Sequence, residues 1–371
     1  MSRKLEVYFK EFIRNFTPYK NHWCYEDGVI LKGALDLLEA TQDVFFQDFV
    51  QNYLAEFVDA RGNLKGYDPN EYNIDHLNAG KILFWAYERT SDERYRLAIE
   101  KQMDQLRTHP RTRTTNFWHK LRYPHQVWLD GLYMALPFFA EYENKFNRHR
   151  HYEDIFNQFK KVREILRNPH TGLYHHGFDE SRESFWCDKT TGISSHCWLR
   201  AQGWLLMALI DTIQHVDETI FEYYKGLIDL FIEASEDFLP YQDRKTGLWR
   251  QVVSSENRTD ENYLEVSGTA MAAYAFLKGV RLNLLPDSYK TSALKALKGI
   301  EERYGYEDEE GYHIGGICEV AGLGEFEGVS RDGSFEYYVS EKIVADEAKG
   351  IGPLMMAYAE YLLSGGESNE I

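Results

Sequence analysis

Six apolar helices, each led by a glycine, alternate along this chain with six amphipathic ones. That alternation predicts an all-α fold, an (α/α)6 toroid with short β-hairpins in its loops. The glycine-led segments are DGVILKGALDLL at Gly28, LNAGKILFWAY at Gly80, LDGLYMALPFF at Gly131, QGWLLMALI at Gly203, SGTAMAAYAFL at Gly268 and IGPLMMAYAEY at Gly352. They are apolar almost all round, as a helix buried on every side must be.

The partner helices carry a charged face, which assigns them to an outer ring. The N-terminal MSRKLEVYFKEFIRNF has no apolar h-region and reads as an amphipathic helix. FFQDFVQNYLAEF, DERYRLAIEKQMDQL, YEDIFNQFKKVREIL, FEYYKGLIDLFIEASEDF and YKTSALKALKGIEERY follow it. Between an outer helix and the next inner one, ARGNLKGY, NPHTGLYHHG and DRKTGLWRQ carry turn residues that predict small hairpins. No Pro/Ser-rich linker divides the chain, so residues 1–371 are expected to form one barrel domain.

With 43% hydrophobic and 27% charged residues the 371-residue chain can bury a core, which excludes disorder as its main state. The net charge of −17 opposes nucleic acid or an anionic membrane surface as a partner. An aromatic content of 15% exceeds what a core needs and fits a surface that stacks on ring-shaped ligands. No stretch approaches the roughly 18 apolar residues of a membrane span. Cys24, Cys187, Cys197 and Cys318 form no CxxC pair, so neither a disulfide framework nor a zinc finger is expected. A cytoplasmic location is the straightforward expectation. No GxGxxG, P-loop, HExxH or GxSxG is present, and no cofactor or metal is expected.

The residues before each glycine should lie at the N-terminal mouths of the inner helices, where unpaired N–H groups favour anions. They are unusually polar: Asp27, then Asp75, His76 and Asn78, then Asp130, then Arg200 and Gln202, then Glu265 and Ser267. An aspartate placed as Asp130 is can be an ordinary helix-start carboxylate. With Trp128, Tyr133 and Met134 around it, desolvation would instead raise its pKa toward an acid's working range. Asp75 alone reads equally as a cap or a site residue; as a second carboxylate it would raise one pKa further.

The stretch from Gln105 to Leu129 holds Arg107, Arg111, Arg113, Lys120 and Arg122 with His109, His119 and His125, and no Asp or Glu. It reads as a solvated loop or as a basic rim that draws an anionic substrate to Asp130. Arg200 and Trp204 share a helix face at i and i+4, suiting a carboxylate clamp beside a sugar-stacking ring, or packing. His175 and His176 lack a third ligand at sensible spacing and suggest hydrogen bonding at the rim.

FWHK (117–120), YPHQVWLDGLYMALPF (123–138), NIDHLNAGK (73–81), HHGFDES (175–181) and WLRAQGW (198–204) resemble glycoside hydrolase family 105, the unsaturated rhamnogalacturonyl hydrolases. EVSGTAMAAYAF, GICEVAGLG and RDGSFEYYVSE extend the likeness over most of the chain, while His196–Cys197 departs from it. The resemblance implies the (α/α)6 fold, Asp130 as general acid/base and Asp75 as its partner carboxylate. It places Tyr25, His119, Lys120, Trp128, Met134, His176, Arg200 and Trp204 around a uronate subsite. The implied partner is a small acidic oligosaccharide, cleaved by hydration of a C4=C5 double bond.

Unsaturated glucuronyl hydrolases share that fold and mechanism and stay open as an alternative. An inverting glycosidase using both aspartates, a non-catalytic carbohydrate-binding protein and, more remotely, a lanthionine-cyclase-like zinc toroid are further readings.

Overall fold

The computed structural model describes residues 3–255 and 261–366. Its helices are α1 (Arg3–Arg14), α2 (Tyr25–Thr41), α3 (Val44–Phe57), α4 (Lys81–Thr90), α5 (Glu93–Thr108), α6 (Leu129–Phe146) and α7 (Tyr152–Leu166). They continue with α8 (Leu199–His215), α9 (Phe221–Phe238), α10 (Val266–Arg281), α11 (Ser288–Tyr304), the short α12 (Phe335–Ser340) and α13 (Ala348–Leu363). A 3-10 turn, Ile74–Gly80, leads into α4. Helices α2, α4, α6, α8, α10 and α13 pack side by side, and α13 closes on α2, completing the (α/α)6 toroid. The rest, apart from α12, form the outer layer.

Burial follows the apolar pattern. Nearly every residue of α6, α8, α10 and α13 is buried. In α3 burial is confined to Phe46, Val50, Tyr53, Leu54 and Phe57, a single helical stripe. Two of the repeated glycines show what the inner ring requires. A Cβ on Gly28 would lie 2.6 Å from the Ala79 Cα, and one on Gly352 would lie 2.7 Å from the Val29 carbonyl oxygen. Inner helices meet backbone to backbone at these places, closer than any side chain permits.

The turn signals are borne out, and the turns close as minimal hairpins: Val58 bridges antiparallel to Leu64 and Arg167 to Tyr174, while Asp243 N–H donates to the Leu248 carbonyl at 2.8 Å. Asp59, Asn168 and Asp243 accept N–H groups two to four residues ahead. Gly62, Gly172 and Gly247 then take φ of +68°, +74° and +81°. Gln126–Trp128 pairs across repeats with Gly177–Asp179, whereas Trp249–Arg250 pairs with Leu264–Glu265 inside the connection from α9 to α10. Hairpins of longer strands occur late in the chain, at Gly305–Asp308 with Gly311–Ile314 and at Gly324–Phe326 with Val329–Arg331.

This inter-repeat pairing builds the mouth of the barrel. Neither α6 nor α8 has a side-chain N-cap. Their first N–H groups go to the next repeat: Leu129 N–H to the His176 carbonyl (3.1 Å) and Leu199 N–H to that of Gln251 (2.9 Å). Ile74 N–H to His119 (3.2 Å) and Val266 N–H to Gly316 (3.0 Å) repeat the pattern. Four of the inner segments, those opening at Ile74, Leu129, Leu199 and Val266, are thus tied at their start to the connecting loop of the following repeat.

Candidate active site

The residues after Ile74 and Leu129 meet the next repeat's loop with their side chains. After Ile74 comes Asp75, whose Oδ2 lies 2.6 Å from Lys120 Nζ and whose Oδ1 lies 3.6 Å from His119 Nε2. Burial alone would raise the Asp75 pKa, but the Lys120 and His119 charges outweigh it and hold the group at about 2. This changes the expected role of Asp75. It is not a bare like charge beside Asp130 but a carboxylate whose charge is countered within the site. Burial disfavours the charged form of His119 and brings its pKa to about 4, against the pull of Asp75 and, more weakly, Asp130.

After Leu129 comes Asp130. Its Oδ2 lies 3.1 Å from His176 Nε2, and the side chain keeps 14% of its surface. Oδ1 has no hydrogen-bond partner among the described residues. His176 has no exposed surface at all, which corrects the expectation of a rim residue. Its Nδ1 lies 2.7 Å from the Tyr338 hydroxyl. Gly131 next to Asp130 makes room for His119: a Cβ there would lie 3.3 Å from His119 Nδ1.

Trp128 is a buried wall between site residues. It stacks on His119 (4.3 Å, 19°) and Tyr123 (5.2 Å, 22°), and its Nε1 donates to Gln126 Oε1 at 3.1 Å. Arg200 is buried, with Nε donating to Ser267 Oγ at 2.7 Å and Nη2 to the Cys318 carbonyl. Its Nη1 has no hydrogen-bond partner among the described residues. Trp204 does not present a free ring: it is 1% exposed and stacks on Tyr133 at 4.9 Å. Met134 is likewise buried in the barrel wall.

A cavity of about 580 Å³ opens beside Asp75, lined among others by Tyr25, Asp75, His76, Lys120, Arg122 and Phe326. Tyr25, Asp75 and Lys120 are thus the predicted residues that reach it. Asp130, His119, Trp128, Met134, His176, Arg200 and Trp204 stand outside its lining. The expected basic rim is smaller than the acid-free segment suggested. Arg111 forms a two-point pair with Asp154, and Arg107 bonds Asp104 and Glu100. From that segment, Lys120 and Arg122 remain at the cavity, the latter over the rings of Tyr123 (4.9 Å) and Phe326 (5.0 Å).

Several polar residues at the mouth brace the fold instead of serving the site. Asp27 accepts from Tyr19 N–H and the Tyr53 hydroxyl, Gln202 accepts from Tyr174 N–H, and Glu265 caps α10. Tyr338, whose hydroxyl meets His176 beside the candidate site, is not singled out by the motifs. It lies within RDGSFEYYVSE, but a six-residue helix carries no periodicity to single it out.

Two candidate carboxylates, each set against a histidine, stand at one mouth of an (α/α)6 toroid, and the molecule is a glycoside hydrolase. The chain belongs to the family 88 and 105 glycoside hydrolases, the Glycosyl Hydrolase Family 88 model matching residues 3–364. A solved family 105 glycoside hydrolase of C. acetobutylicum ATCC 824 is 41% identical, with a TM-score of 0.91 over 97% of this chain and 99% of that one. The unsaturated rhamnogalacturonyl hydrolase YesR of Bacillus subtilis (strain 168) is 24% identical, over 70% of this chain and 72% of its own length. The unsaturated glucuronyl hydrolase of Bacillus sp. GL1 shares the fold at 15% identity, with a TM-score of 0.68 over 97% of this chain and 94% of that one. Among the described residues no helix is long and apolar enough to cross a membrane.

Proposed function

We propose that this chain is an unsaturated rhamnogalacturonyl hydrolase, acting in the cytoplasm on small products of pectin lyases. It would remove their terminal 4,5-unsaturated galacturonate. The observation that carries this reading is the Asp130 carboxyl, with Oδ2 held by a buried histidine and Oδ1 left free to exchange a proton. The C4=C5 bond of the substrate is part of a vinyl ether. Asp130 delivers a proton to C4, and the ring oxygen stabilises the oxocarbenium centre at C5. Water adds at C5 while Asp130 takes up its proton. The resulting hemiketal opens to a C5 ketone and a C1 hemiacetal, which collapses to an aldehyde and releases the neighbouring sugar. No group attacks the anomeric carbon, in contrast to two-carboxylate hydrolysis.

The surrounding charges suit an acidic substrate on a protein of net charge −17. Arg200 Nη1 is the donor left for the uronate carboxylate, and Lys120 and Arg122 supply local positive charge. Asp75, ion-paired to Lys120, orders the wall against which the ring lies.

The test is a panel of unsaturated disaccharides from pectin and glycosaminoglycan lyases, followed by loss of double-bond absorbance. Turnover of the pectin-derived substrates, with saturated galacturonides left intact, is the expected outcome. Preference for glycosaminoglycan products would move the assignment to a glucuronyl hydrolase, and cleavage of saturated substrates would replace hydration by direct hydrolysis.

A further inference from the structure

His176 is walled in by aromatic rings: Trp198 at 4.9 Å, Trp128 at 5.6 Å and Tyr338 at 6.0 Å. Its two nitrogens have one partner each, Asp130 Oδ2 at Nε2 and the Tyr338 hydroxyl at Nδ1. Tyr338 is itself fully buried on α12 and stacks on Trp198 at 6.0 Å and 13°. The ionisable side chains facing His176 are Asp130 on α6, Tyr338 on α12 and His119 from the preceding loop.

A neutral imidazole donates at one nitrogen and accepts at the other. The Tyr338 hydroxyl has a single proton and no second hydrogen-bond partner among the described residues. Burial holds its pKa well above 10, so it stays an O–H group. If His176 carried its proton on Nδ1, the Tyr338 proton would point at nothing in a buried site, at a full desolvation cost. With the proton on Nε2 both groups are satisfied.

We propose that Tyr338 is a positioning residue: its O–H donates to Nδ1, fixing His176 in the Nε2–H tautomer, and Nε2–H in turn keeps Asp130 Oδ2 an acceptor, so that the transferable proton sits on Oδ1. The consequence for catalysis rests on Asp130 being the acid/base; the tautomer itself does not. In the other tautomer Nε2 would accept a proton from Oδ2 and turn the acid inward, away from the substrate.

The experiment is 15N NMR of the full chain with labelled histidine, the His176 signals assigned by their loss in His176→Gln. The wild type is expected to show the Nε2–H form. Tyr338→Phe is expected to lose that preference, with kcat falling on the order of 10- to 100-fold and KM staying within about 2-fold. A wild-type Nδ1–H tautomer, or a Tyr338→Phe protein that keeps both tautomer and kcat, would overturn the proposal. The wild-type spectrum needs neither a stable variant nor turnover. An Nε2–H signal in a protein inactive on every unsaturated uronide would count against the activity and not against the role of Tyr338.

Discussion

His119 and His176 hold the same place in consecutive repeats: the carbonyl of each accepts the N–H of the residue just before a site carboxylate, Ile74 before Asp75 and Leu129 before Asp130. Their side chains then diverge. His119 shares Asp75 with Lys120, which lies an ångström closer, whereas His176 faces Asp130 alone and is backed by Tyr338. One repeated piece of backbone geometry thus produces a fixed ion pair in one repeat and a hydrogen-bonded carboxyl in the next. The following repeats put Arg200 and Ser267 at the corresponding places, and these two bond each other.

Asp130→Asn keeps the size of the side chain and removes its exchangeable acid proton. Turnover of an unsaturated disaccharide should fall by about 10²–10⁴-fold, the usual contribution of an acid/base group. Its circular dichroism and melting point should stay close to wild type, because one partly exposed hydrogen bond is altered. Loss of the substrate chromophore measures the rate, and a near-wild-type rate would remove Asp130 from the reaction.

Lys120→Met should strand Asp75. Breaking a largely buried ion pair costs about 3 kcal/mol, so urea unfolding at neutral pH should register a loss of that order. The pH dependence has a definite sign. Asp75 titrates at about 2 in the fold, against an ordinary value of 3.8. Its stabilising effect is therefore complete above the ordinary value and is lost as pH falls through the folded one. The gap between wild type and variant should shrink between about pH 4 and pH 2, where Asp75 becomes neutral. A gap independent of pH in that window would show that Lys120 acts through packing.

What could be read from the sequence follows from where the information is local. Most inner helices, α6, α8, α10 and α13, announce themselves by being apolar on nearly all sides, and a carboxylate at or just before the start of an inner helix, as Asp130 and Asp75 are, stands out. The same property hides which side chains face the cavity. Arg200 and Trp204 have the right spacing for a shared face, yet Trp204 packs on Tyr133 within the wall. Partners distant in the chain are invisible. Arg111 looked free because its own segment holds no acid, but Asp154 comes from α7, and Tyr338 meets His176 across 162 residues.

That correction separates two arginines by their effect on substrate. Arg111 is paired to Asp154 and lies outside the cavity lining, so Arg111→Ala should leave KM within about 2-fold. Arg122 lines the cavity and is held against two aromatic rings, so Arg122→Ala should raise KM by about 5- to 10-fold, worth roughly 1 kcal/mol. The Arg122 effect should weaken with added salt, since a partly exposed charge is screened. Steady-state kinetics at two ionic strengths distinguish them, and equal effects of both substitutions would restore the broad basic rim.

Closure of the ring can be tested at the seam between α13 and α2. A Cβ on Gly352 would sit 2.7 Å from the Val29 carbonyl oxygen and 2.8 Å from its carbon, both backbone atoms that no rotamer change can clear. Gly352→Ala must therefore push the two helices apart, with an expected loss of about 1–3 kcal/mol. Gly315→Ala is the control: its Cβ would meet Tyr306 no closer than 3.6 Å, an ordinary contact, and its effect should stay within about 0.5 kcal/mol. Denaturant unfolding of both variants compares them directly. Equal stability would mean that the seam yields, and that the repeated glycine reflects something other than the close approach of inner helices.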